Sequence, residues 1–101
     1  MTAHIQVDIS TEAIADIASR HHVRELRLFG SVLRDDFHSD SDIDMLVEFD
    51  PDARVGLFSF FALQDELCEM LGRKVDLVSK RGLHWVIRDD VLAASQVVYA
   101  V

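Results

Sequence analysis

Asp42 and Asp44 stand on either side of Ile43 at the head of an alternating run that ends at Phe49, and no other feature limits the possible folds so tightly. Residues two apart on a strand project from the same face. One face of segment 43–49 therefore carries Ile43, Met45, Val47 and Phe49, while the opposite parity carries the two aspartates. Segment 24–29 repeats the alternation, with Leu26 and Leu28 apolar, and segment 74–78 repeats it again, with Val75 and Leu77 set against Asp76. The implied object is a sheet with one core face and one face bearing Asp42, Asp44 and Asp76.

The remaining chain supplies the cover. Ser10 reads as an N-cap, with Glu12 in the first turn of a helix whose Ile14, Ile17, Ala18 and His21 share a side. Asp50-Pro51-Asp52 is a turn, and a helix over about 56–71 follows, stopped by Gly72. A helix between the second and third strands permits a parallel crossover. A last helix around 83–94 and a short extended tail at 96–100 finish the chain. The expected class is α/β (α+β), a small mixed sheet of about three strands covered on one face by helices. At 101 residues it reads as a single domain over 1–101, burying roughly two thirds of its unfolded surface, with no room for a second, acceptor-binding domain.

Gly30-Ser31 lies ten residues before Asp42. Backbone N–H groups at a short helical turn over 32–36, together with the Ser31 hydroxyl, make a cradle for phosphate oxygens, and Arg34 adds a cation. Mg²⁺ takes oxygen ligands, keeps several waters and binds through only one or two carboxylates besides phosphates. Asp42 and Asp44 on one face suit that demand and can bridge two metal positions. Displacing pyrophosphate from a nucleoside triphosphate needs mainly positioning and neutralisation of charge on phosphate oxygens. These parts point to nucleotidyl transfer.

The stretch from Leu28 through Phe29-Gly30-Ser31-Val32-Leu33 to Arg34, the spacer, and Ser41-Asp42-Ile43-Asp44-Met45-Leu46-Val47 resemble the minimal nucleotidyltransferase (MNT) domains of the polymerase-beta-like nucleotidyltransferase superfamily. The likeness continues through Lys74-Val75-Asp76-Leu77-Val78 and, more loosely, to Tyr99, covering nearly the whole chain. One departure is Val32 followed by Asp35-Asp36, where many relatives carry a more basic, glycine-containing stretch. The resemblance implies a palm-like fold, with Gly30 and Ser31 on the triphosphate, Asp42 and Asp44 on Mg²⁺, and Asp76 completing the metal site or helping to deprotonate the acceptor. MNT domains of this size resemble the antitoxin halves of pairs whose toxin is a HEPN-domain ribonuclease. That likeness implies AMP transfer from ATP to a tyrosine of the toxin. Two alternatives stay open: a non-catalytic antitoxin that neutralises its partner stoichiometrically, and a small-molecule nucleotidyltransferase completed by a second subunit.

A net charge of −8 argues against direct nucleic-acid binding, which depends on Lys and Arg releasing counterions, and favours a basic protein partner. No stretch approaches the ~20 apolar residues of a membrane span, and the N-terminal residues lack a signal-peptide pattern. With Cys68 the only cysteine, a cytoplasmic setting is expected. None of the histidines falls in a metal-ligand spacing. Cys68 itself reads as a small apolar filler. The helix over 56–71 carries one stripe of Phe60, Leu63, Leu67, Met70 and Leu71, and beside it a second of Phe58, Phe61 and Cys68. Either the core face is wide, or Phe58 and Phe61 dock the partner.

Overall fold

Ser10 caps the first helix as its position predicts, its hydroxyl accepting the Ala13 N–H at 3.3 Å. The computed structural model describes residues 10–30, 42–82 and 85–101. Along them run α1 (Thr11–Arg20), β1 (Val23–Phe29), β2 (Ile43–Phe49), α2 (Leu57–Leu71), β3 (Val75–Ser79), a 3₁₀ turn (Lys80–Gly82), α3 (Trp85–Ala94) and β4 (Gln96–Ala100). The helical turn expected over 32–36 lies outside the described residues.

The sheet order is β3-β2-β1-β4. Neighbours β1 and β2 are antiparallel, as are β1 and β4, and the crossover through α2 makes β2 and β3 parallel. The sheet thus has four strands rather than about three. The difference is the tail: Gln96–Ala100 adds to β1, whose outer edge would otherwise present a row of unpaired backbone groups.

Parity is kept across the register. Leu28 lies beside Met45, Leu26 beside Val47, Ile43 beside Val75 and Met45 beside Leu77, and all seven residues are buried. Ile14, Ile17 and Ala18 of α1 and Leu63 and Leu67 of α2 close over them. Deleting such a side chain costs ~2–5 kcal/mol. Leu46 breaks the simple pattern, for it is buried on the carboxylate face, between Arg27 and Val78 in register.

Gly56 and Gly72 bracket α2, the latter at φ +66, a left-handed conformation that glycine adopts without steric cost. Of the two stripes on α2, Phe60, Met70, Leu71 and Cys68 pack against the core, whereas Phe58 is 94% and Phe61 50% exposed. The two covering helices are tied by polar contacts as well. Arg20 Nη1 lies 2.9 Å from Glu66 Oε1, and His21 Nε2 meets the other carboxylate oxygen. Among the described residues no helix is long and apolar enough to cross a membrane.

Candidate active site

Two of the carboxylates come side by side at one end of the sheet because β2 and β3 run parallel and in step. Asp44 and Asp76 are direct lateral partners, and Phe29 lies on the other side of Asp44. Asp42 stands one pleat earlier, just before β2, on the same face as Asp44. Its neighbour is Lys74, whose Nζ is 3.8 Å from Asp42 Oδ2. The register thus sets two carboxylate-bearing residues side by side on one face.

Gly30 fixes the approach from the β1 side. Its φ is +76, and a Cβ built there would stand 2.3 Å from Asp44 Oδ2 and 3.2 Å from its Cγ. Only a residue without a side chain both adopts that backbone and leaves the Asp44 carboxylate in place. Ser31 and Arg34, expected to contact phosphates, lie outside the described residues.

Among the described residues no group of three or more histidine, cysteine, aspartate or glutamate side chains is gathered to hold an ion. That does not oppose Mg²⁺, which usually takes one or two carboxylates and draws its other oxygens from phosphate and water. The donors here are all carboxylate, the hard oxygen type that Mg²⁺ prefers, and the absence of a side chain at Gly30 leaves the Asp44 carboxylate in its place. The residues present fit the ion.

Two supporting features were not legible in the sequence. The Cys68 thiol, read as filler, accepts the Val75 N–H at 3.2 Å and so anchors α2 to the residue before Asp76. Ile43 N–H donates to the Lys74 carbonyl at 3.0 Å, locking β2 and β3 together at the carboxylate end. Both contacts depend on the αβ connection turning back on itself, which no local pattern encodes.

A groove lies elsewhere among the described residues. It has a volume of about 730 Å³ and is lined by Phe49, Val55, Leu57, Phe60, Phe61 and Lys80 among others, at the far ends of β2 and β3. Phe49 is five positions after Asp44, about 16 Å along the strand at ~3.3 Å per residue. The groove mixes aromatic side chains with Arg24, Lys80 and Arg81, but Asp42, Asp44 and Asp76 are not among its lining residues, and metal-assisted chemistry needs those carboxylates. Phe61 lines the groove and packs edge-on to Phe60, with ring centres 5.9 Å apart, while Phe58 projects away from the core.

Known proteins share this chain's family and fold. The nucleotidyltransferase domain model matches residues 11–98. The chain is 39% identical over 84 residues to the protein adenylyltransferase MntA of Thermococcus cleftensis, covering 83% of this chain and 81% of that one. A solved structure described as a minimal nucleotidyltransferase superposes with a TM-score of 0.72 at 38% identity, over 84% of this chain and 85% of its own. The complex of a tri-AMPylated HEPN toxin with its MNT antitoxin from Shewanella oneidensis superposes with a TM-score of 0.65 at 22% identity, over 90% of this chain and 70% of that one, a likeness of fold.

Proposed function

The chain belongs to the nucleotidyltransferase domain family and is a nucleotidyltransferase, and from that premise we propose that it is the antitoxin of a HEPN-type pair, transferring AMP from ATP to a tyrosine of its partner. The observation that carries this reading is the lateral pairing of Asp44 with Asp76 on an open face, with Gly30 closed against Asp44. The acceptor is supported by the protein-modifying name of the Thermococcus relative and by the AMPylated toxin in the Shewanella complex.

In this mechanism Asp42 and Asp44 would hold Mg²⁺, with Asp76 beside Asp44 completing the site or serving the acceptor. When bound, Mg²⁺ supplies neutralising charge to the phosphate oxygens. Gly30, without a side chain, would let its backbone approach the triphosphate, and Ser31 and Arg34 would contact its oxygens. The tyrosine oxygen attacks the α-phosphorus, the bond from that phosphorus to the bridging oxygen breaks, and pyrophosphate leaves. Asp76, at the acceptor side, takes the phenolic proton as the new P–O bond forms. A net charge of −8 favours a partner with a basic, RNA-facing surface.

The test is incubation with a purified HEPN-domain toxin, Mg²⁺ and ATP labelled at the α-phosphate, with γ-labelled ATP in parallel. The expected result is label on a toxin tyrosine from the α-position alone. Stoichiometric inhibition of the toxin with no label transferred would replace this reading with that of a binding antitoxin.

A further inference from the structure

Lys74 stands at the carboxylate end of the sheet and takes no part in the chemistry described so far. The register that sets Ile43 beside Val75 sets Asp42 beside Lys74, and the Ile43 N–H fixes the lysine backbone through its carbonyl. The side chain is otherwise free to move, being 77% exposed with its Nζ 3.8 Å from Asp42 Oδ2. An ion pair this exposed adds little stability and separates easily. Lysine carries a compact charge on a flexible four-carbon arm, well suited to following an anion.

The surrounding charge makes such an arm useful. Asp42, Asp44 and Asp76 share the face, and the whole chain carries −8, so an incoming triphosphate meets repulsion. A cation anchored one pleat from Asp44 and Asp76 lies within reach of phosphates held there.

We propose that Lys74 is an exchangeable counter-ion: its ammonium neutralises Asp42 in the nucleotide-free protein and transfers to the phosphates when a divalent cation takes Asp42. The inference rests on the nucleotidyltransferase reading and adds a phosphate-contacting residue to it. It makes two ligands respond differently to one substitution. Loss of the ammonium removes a competitor for Asp42 and also removes a partner of the nucleotide.

The experiment compares wild type, Lys74→Gln and Lys74→Arg in two titrations: Mn²⁺ alone, and AMP-PNP with saturating Mg²⁺. Lys74→Gln is expected to bind Mn²⁺ as tightly as wild type or up to about threefold more tightly, the scale of an exposed ion pair. The same variant is expected to bind AMP-PNP roughly tenfold more weakly, the scale of a hydrogen bond to a charged group. Lys74→Arg should restore most of the nucleotide affinity. Weakening of both ligands together would mark Lys74 as structural and overturn the proposal, as would unchanged AMP-PNP binding in Lys74→Gln. A wild-type protein that binds no AMP-PNP overturns the nucleotidyltransferase reading itself, and the Lys74 proposal with it.

Discussion

At their leading ends β2 and β3 carry Asp44 and Asp76 side by side, with Gly30 closed against Asp44; at their trailing ends the same strands run into a groove lined by Phe49, Phe60 and Phe61. The first end is set by backbone register, so its carboxylates are held within a narrow geometry. Side chains of α2 and the β2–α2 connection set the second, and aromatic rings there are free to adapt to what they meet. Reaction needs fixed groups and recognition needs exposed apolar area, and on the proposed reading one strand pair would separate the two by its own length.

Substitutions at the acidic end should abolish chemistry and spare recognition. Asp76→Asn removes the group assigned to the acceptor proton, and transfer in a single turnover is expected to fall by ~10²–10⁴-fold. AMP-PNP affinity should change far less, because the lost interaction matters most as the acceptor oxygen loses its proton. A variant that loses affinity but keeps its maximal rate would contradict this role.

Gly30→Ala should do nearly as much by geometry alone. The new methyl would lie 2.3 Å from Asp44 Oδ2 on a backbone at φ +76. Displacing a reacting group by ~1 Å costs about 10²-fold in rate, and the strained backbone adds ~1–3 kcal/mol of instability. Transfer assays and thermal melts measure the two parts.

The opposite end should show the reverse. Phe58→Gln with Phe61→Gln is expected to weaken partner binding by ~2 kcal/mol, as loss of aromatic anchors does, with little change in melting temperature. Phe58 is 94% exposed, so its replacement leaves the core intact. Unchanged partner affinity in the folded variant would move the docking surface to the carboxylate face.

The smallest effect lies between the two ends, in the α1–α2 clasp. Hydrogen bonds from His21 and then Arg20 favour the ionised form of Glu66 and hold its carboxyl below the usual carboxylate range. A group depressed in this way stabilises the fold fully above its unfolded-state value, and the contribution disappears as pH falls through the folded-state value. Glu66→Gln should therefore flatten the loss of melting temperature on acidification below the ordinary glutamate range, while transfer at neutral pH stays unchanged.

Period-two alternation made the acidic end legible, because parity alone puts Asp42, Asp44 and Asp76 opposite Ile43, Met45, Val75 and Leu77. Capping chemistry placed α1 and α2 almost to the residue, through Ser10 and Gly72. What escaped is what depends on distant pairing. The tail over 96–100 shows no partner in its own five residues, yet it forms β4 against β1. Burial of Leu46 on the polar face, the Cys68 bond to Val75 and the clasp of His21 on Glu66 all join residues that only the folded chain brings together. The groove is of the same kind, since it exists only where α2 and the strand ends converge.

The central claim is that the carboxylate face transfers nucleotidyl groups, and the double substitution Asp42→Asn with Asp44→Asn tests it most directly. Label from α-labelled ATP onto the partner should vanish in this variant, while its melting temperature stays at or above that of wild type, because like charges on one face have been removed. A folded double variant that still transfers label at the wild-type rate would contradict the account.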